Sequence, residues 1–151
     1  MFKSVLIALG IMTLTPFSAF SQSHQTVSAV GDYDNNNVFA RILRGELPAD
    51  IIYEDKYVLA FKDISPIKPI HILVIPKGKY RSIVSFSENA KDAEVTALIR
   101  ALGKISKKLG INETGFSLMT NAGHDGGQTV PHLHFHLLAG EEVHWEQGLR
   151  Q

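Results

Sequence analysis

Histidine is the unusual resource of this chain, which has seven imidazoles and no cysteine. Three of the seven fall at alternate positions in His132-Leu133-His134-Phe135-His136-Leu137-Leu138, directly after Gly126-Gly127-Gln128-Thr129-Val130-Pro131. Side chains on a strand alternate between its faces, so His132, His134 and His136 are expected on one face and Leu133, Phe135 and Leu137 on the other. Next-but-one Cβ atoms on a strand lie roughly 6.5 to 7 Å apart. A phosphate or a metal ion spans that gap and a direct ring-to-ring hydrogen bond generally does not, so a ligand is implied. A neutral imidazole is a competent nucleophile toward phosphorus once a neighbour fixes its tautomer and donors steady the charge on the phosphoryl oxygens. Gly126 and Gly127 are expected to let backbone N–H groups, with the Gln128 and Thr129 side chains, approach an anion closely.

The elements that must hold these residues follow from pattern. Asn37 suits the cap of a short helix over 38–44, with Val38/Ile42 and Phe39/Leu43 as apolar pairs and Gly45 as the left-handed stop. Residues 51–54 and 57–63 read as a hairpin of β-branched and aromatic residues, ended by Asp63-Ile64-Ser65-Pro66. Residues 69–76 read as a mostly buried strand that carries His71 and is bracketed by prolines. One long helix is predicted over about 88–109, with Val95, Leu98, Leu102, Ile105 and Leu109 in a stripe and Gly110 as its stop. A strand over 115–121, a glycine-rich loop over 122–131 and the histidine strand over 132–138 complete the body. Strands adjacent in sequence and joined mostly by short turns predict an α+β domain: an antiparallel sheet of about five strands, one long and one short helix, and the helices on one side.

At 151 residues and 44% hydrophobic the chain has room for one domain with a core. Basic and acidic residues number 15 each, so no charge excess draws the protein to a nucleic acid polymer or an acidic membrane, and any nucleotide bound is expected to be small. The lack of cysteine excludes disulfides, thiolate zinc sites and a cysteine nucleophile. Residues 1–21 have one positive charge, an apolar run interrupted by Thr13, Thr15 and Pro16, and then Ser18-Ala19-Phe20-Ser21. That is the layout of a secretory signal peptide, with cleavage expected between Ser21 and Gln22. It predicts a periplasmic or secreted protein with no stable membrane association after cleavage; an uncleaved segment would instead mean a membrane-anchored or cytoplasmic one. Residues 22–36 are polar and small and are predicted to be a disordered linker.

The triad and its flanks resemble the histidine triad (HIT) superfamily of nucleotidyl hydrolases and transferases. Arg44-Gly45-Glu46-Leu47-Pro48, Asp63-Ile64-Ser65-Pro66, His71-Ile72-Leu73-Val74-Ile75-Pro76-Lys77, Asn121-Ala122-Gly123 and Asp125-Gly126-Gly127-Gln128 are similar to its Hint branch in order and approximate spacing. Gly140 to Trp145, with His144-Trp145, is similar as well, and residues 37–151 are identified as the HIT domain. Three departures stand out: Thr129 where serine is frequent, Lys62 where histidine is common, and Glu146-Gln147 in place of a proline-rich tail that influences acceptor specificity. A signal peptide is also unexpected in a family whose members look mostly cytosolic.

The resemblance implies a fold, a reaction and a set of roles. His134 would take the nucleotidyl group from the α-phosphate, its ring oriented by a backbone carbonyl. His132 and His136 would contact the phosphate and leaving group, and His71 would support the site. Gln128 and Thr129 would bind phosphate oxygens and the leaving atom, Asn121 would lie beside the phosphate, and Asp63 would accept from the ribose hydroxyls. Phe39, Phe61 and Ile64 would line a purine pocket. Taken one at a time, the three apolar residues also fit core positions, Asp63 and Asn121 fit turns, and His71 fits a satisfied strand histidine. The implied activity is hydrolysis of purine nucleoside phosphoramidates or related nucleotidyl conjugates through a nucleotidyl-histidine, by a two-fold homodimer with no cofactor and no metal. Hydrolysis of dinucleoside polyphosphates, as in the Fhit branch, is one alternative. Another is an exported metal-binding protein using His132, His134 and His136, and a third is a catalytically silent nucleotide-binding module.

Overall fold

Local signals fix the ends of most elements in the computed structural model, which describes residues 26–142. The predicted signal peptide over 1–21, residues 22–25 of the predicted linker, and His144-Trp145-Glu146-Gln147 lie outside the described residues. Asn37 opens α1 (Val38–Leu43), its side-chain oxygen accepting the Ala40 N–H at 2.9 Å, and Gly45 at φ 73° ends it. Asp55 turns β1 (Ile51–Glu54) into β2 (Val58–Lys62) by accepting the N–H groups of Tyr57 and Val58, both at 2.8 Å. With β3 (Ile70–Pro76), β4 (Ser117–Met119) and β5 (Phe135–Ala139) these strands form one antiparallel sheet, in the order β1-β2-β3-β5-β4. The α+β class and the five strands are as predicted.

The expected long helix is present as one element, and a further short helix that the sequence did not suggest precedes it. Ser82 caps α2 (Ile83–Asn89), accepting from the Val84 N–H at 3.1 Å while Ser85 Oγ accepts from the Ser82 N–H at 3.1 Å. Ala90 is extended, and the chain restarts as α3 (Asp92–Lys108), where Glu94 accepts the Lys91 N–H. Acidic Asp92 and Glu94 at its start and Lys107 and Lys108 at its end match the helix dipole. Leu98, Leu102 and Ile105 of the predicted stripe are buried, whereas Val95 is exposed one turn nearer the break.

The helices are not all on one side, because strand alternation gives the sheet two buried faces. Val58, Ala60, Ile72, Val74, Leu137 and Ala139 join Leu98, Ala101, Leu102 and Ile105 of α3 in the larger cluster. Leu59, Phe61, Leu73 and Ile75, of opposite parity, pack with Phe39 of α1 on the other face. His71 shares the parity of Leu73 and Ile75, and His136, paired with Leu73 on the neighbouring strand, lies on that same face, with His134 in phase with it.

Residues 26–36 are not a loose linker. The Val27 N–H donates to Gln128 O at 2.8 Å, Arg81 donates to Ser28 O at 2.7 Å and to Asp32 O at 2.8 Å, and Ser82 Oγ donates to Ala29 O at 2.7 Å. The segment is polar because its contacts are hydrogen bonds rather than apolar burial, and a composition rule reads that as disorder.

Candidate active site

The histidine strand begins later than its pattern predicts. Only Phe135–Ala139 pairs as β5, so His132 and His134 stand in the chain leading into it. The alternation still holds, with Leu133 and Leu137 in the α3 cluster and the histidines toward α1. Rings of His134 and His136 lie 5.0 Å apart, and Phe39 stands edge-on to His134 at 5.2 Å and to His132 at 6.2 Å.

The hydrogen bonds settle which nitrogen is free on each ring. A carbonyl only accepts, so the 2.7 Å contact of His134 Nδ1 with His132 O places the proton on Nδ1 and leaves the lone pair on Nε2. The Ile67 N–H donates to His71 Nδ1, which puts the His71 proton on Nε2, 2.8 Å from His136 Nδ1 and 3.3 Å from Asp63 Oδ2. His136 Nδ1 therefore accepts, and His136 carries its proton on Nε2. Two neighbouring imidazoles thus present opposite valences, a lone pair on His134 and an N–H on His136. β3–β5 pairing sets Leu73 opposite His136, which makes His71 the diagonal neighbour whose ring reaches it.

All of these rings are held neutral. Burial depresses His134 below the ordinary imidazole value and takes His132 and His136 down to about 4, the neighbouring His134 adding to the effect on both. Burial also lowers His71, outweighing the Asp63 carboxylate beside it.

A cavity of about 240 Å³ opens in front of His134 and His136, lined by Phe39, Phe61, Asp63, Ile64 and Thr129 among others. The structure therefore brings together seven of the residues singled out in the sequence, with His71 directly behind His136. Ile64 is 98% exposed and forms the rim of the cavity rather than a wall. Val38, Ile42, Leu73 and Val130 also line it, and their apolar types gave no signal beyond core.

Three expected contacts are absent from this cavity. His132 is fully buried, its Nε2–H donating to Pro76 O at 2.9 Å and its Nδ1 facing the Tyr33 hydroxyl. It has no free nitrogen for a phosphate or a metal, and acts through its carbonyl on His134. Gln128 is also fully buried: its oxygen accepts the Gly123 N–H at 3.0 Å and its nitrogen donates to Arg81 O at 2.7 Å and Val130 O at 2.8 Å. Asn121 donates to Gly126 O within the loop. The glycines serve the loop's own closure: a Cβ on Gly126 would meet Ala122 O at 2.5 Å, and the N–H groups of Gly127 and Gln128 donate to His124 O and Gly123 O. Thr129 and Val130 are the loop residues that reach the cavity, and Thr129 is the polar one. Tyr33 and Thr120, whose hydroxyl donates to His134 O at 2.8 Å, are site residues that the sequence did not single out.

Among the described residues, one group could hold a metal ion: Asp63, His71 and His136 offer ligand atoms all within 4.8 Å of one another. It replaces the triad as the metal candidate, since His132 cannot contribute.

A sequence profile of the HIT domain matches residues 44–143. The chain belongs to the HIT family. An uncharacterised 13.2 kDa HIT-like protein of Azospirillum brasilense is 50% identical over 111 residues, covering 74% of this chain and 91% of the relative. Among solved HIT structures, a HIT family hydrolase from Clostridium thermocellum is similar with a TM-score of 0.68 at 42% identity, over 74% of this chain and 96% of that one. Another, from Legionella pneumophila, gives 0.67 at 40% identity over 73% and 97%. The histidine constellation above is thus the HIT signature in three dimensions.

Proposed function

We propose that the protein is a HIT family nucleotidyl hydrolase of the Hint-like kind, which cleaves purine nucleoside 5'-phosphoramidates or related nucleotidyl conjugates. The observation that carries this reading is the pair of opposed imidazoles in one cavity, His134 with a bare Nε2 and His136 with Nε2–H. In the first step His134 Nε2 attacks the α-phosphorus. The P–Nε2 bond forms and the bond from phosphorus to the leaving nitrogen breaks; that nitrogen takes a proton from solvent and departs as the neutral amine, while the His136 Nε2–H steadies it by hydrogen bonding. In the second, water attacks the nucleotidyl-histidine, the P–Nε2 bond breaks to free His134, the proton that the water loses passes to solvent, and the nucleoside monophosphate leaves. The His132 carbonyl steadies the Nδ1–H of His134 as positive charge grows on that ring, as a triad carboxylate does for its histidine. Phe39, Phe61 and Ile64 form an apolar slot for the base, Asp63 sits where a ribose hydroxyl can donate, and the Thr129 hydroxyl meets the phosphate end. The neutral state of His134 supports the same reading, because only the neutral ring is nucleophilic at pH 7.

Steady-state turnover of adenosine 5'-phosphoramidate, guanosine 5'-phosphoramidate and diadenosine polyphosphate by the mature protein tests the substrate class. Release of monophosphate from the phosphoramidates is expected; cleavage of the dinucleotide alone contradicts the reading. Homodimerisation belongs to the proposal and is supported by β4, an edge strand three residues long with Phe116 and Leu118 exposed beside and within it. A strict monomer at micromolar concentration overturns it. Export through residues 1–21 is likewise proposed, and amino-terminal sequencing of protein from its host, expected to start at or near Gln22, decides it.

A further inference from the structure

The residue that completes the chain of contacts behind the nucleophile comes from the amino-terminal segment, ahead of the matched HIT domain. His132 Nε2 faces Pro76 O, an acceptor only, so the proton of the neutral ring is on Nε2 and Nδ1 is bare. The Tyr33 hydroxyl therefore donates to Nδ1, with the phenol ring edge-on to the imidazole at 5.6 Å. His132 is thereby pinned at both ring nitrogens, and its own N–H donates to Val130 O at 2.8 Å. The carbonyl so fixed is the one that sets the His134 tautomer.

We propose that Tyr33 is a positioning residue for His134, and that residues 26–36 are a strap whose docking holds the nucleophile in its reactive tautomer. The inference rests on the proposed role of His134. Arg81 is the buckle of the strap, since its guanidinium donates to two strap carbonyls, Ser28 O and Asp32 O. Ser82 Oγ and the Val27 N–H add two further bonds on either side of the loop that carries Gln128. Arg44, donating to Asn35 O at 2.7 Å, holds the other end of the segment against α1. Tyr33 does not line the cavity, so its effect reaches the substrate only through His132 and His134. Burial raises the phenol pKa and keeps the hydroxyl protonated as the donor.

Nitrogen NMR of the 15N-labelled full mature chain, with kcat and KM on adenosine 5'-phosphoramidate, tests this. In the unsubstituted protein His132 is expected to show a bare, hydrogen-bonded Nδ1 and a protonated Nε2, and His134 a protonated Nδ1 and a bare Nε2. Tyr33→Phe keeps the ring and removes only the donor. It should move the His132 Nδ1 resonance toward that of an unbonded nitrogen and lower kcat by roughly ten- to a hundred-fold, the range for a misplaced catalytic group, with KM nearly unchanged. Arg81→Gln loosens the strap without touching His132 and should lower kcat in the same direction, less than additively with Tyr33→Phe. A His132 proton on Nδ1 in the unsubstituted protein overturns the proposal. So does a Tyr33→Phe variant that loses thermal stability while kcat per folded molecule stays the same. The NMR arm needs no turnover, so a protein that is inert toward every nucleotidyl substrate but shows these tautomers, and loses the His134 tautomer in Tyr33→Phe, defeats the functional reading and keeps the strap.

Discussion

The two faces of the sheet are buried to similar depth and are built for different ends. On the α3 face the buried side chains are apolar and mostly aliphatic, and a helix of 17 residues covers them. On the other face a helix of six residues covers Leu59, Phe61, Leu73 and Ile75, and the same strands carry on into His71, His136 and Asp63, with a cavity in front of them. Buried imidazoles there are tolerated because each nitrogen described above has a partner or faces the cavity, and no buried side-chain polar atom among the described residues is left without one. One face stores stability, and the other gives some of it up to hold neutral, oriented rings.

Substitutions on the histidine face should therefore reach kcat, and those on the α3 face should reach stability. The largest effect expected is for His134→Ala, which removes the covalent path: turnover of adenosine 5'-phosphoramidate should fall by several orders of magnitude, with nucleotide binding largely kept. His136→Ala loses one donor and should cost on the order of a hundred- to a thousand-fold in kcat. Leu98→Ala, at the centre of the α3 face, should cost about 2–5 kcal/mol in denaturant unfolding and leave kcat of the folded enzyme unchanged. If Leu98→Ala lowers kcat as much as His136→Ala does, the division between the faces fails.

Acid should separate the faces in a second way. His132 and His136 titrate near 4 in the folded protein against an ordinary 6.5, so between these values the unfolded chain binds more protons. Stability is then full above about pH 6.5 and is lost as pH falls toward 4, with His132 alone worth roughly 3 kcal/mol across that window. Unfolding free energies between pH 7 and 4 check the sign; His132→Asn should flatten the slope. Gln128→Ala carries the smallest effect, about 2 kcal/mol of stability from three broken hydrogen bonds. KM should barely move, whereas a phosphate-binding Gln128 would raise it.

What was legible in the sequence was whatever is local or periodic. The parity of His132, His134 and His136, the Asn37 cap and the Gly45 stop are all readable within a few residues, and of the three rings His134 and His136 do face the cavity whereas His132 is buried behind it. Helix α2 was not legible, because its seven residues carry one buried side chain, Phe86, too few to make an apolar stripe, and the Ser82 cap that starts it is not followed by one. The roles of His132 and Gln128 were misassigned for a related reason. Their partners Tyr33, Pro76 and Arg81 are 99, 56 and 47 residues away, so no pattern around the motif distinguishes a ring that faces ligand from one that faces a carbonyl. The strap was missed because hydrogen-bonded backbone has no compositional mark.

The central claim is that the bare Nε2 of His134 forms a bond to phosphorus. Acid quenching of the enzyme during turnover of a nucleoside phosphoramidate labelled at the α-phosphorus, followed by peptide mapping, tests it directly. The account predicts label on a histidine in the peptide containing 132–136, stable to base, lost in His134→Ala and retained in His132→Asn. Label on His136, or turnover with no labelled histidine at any time, would contradict it.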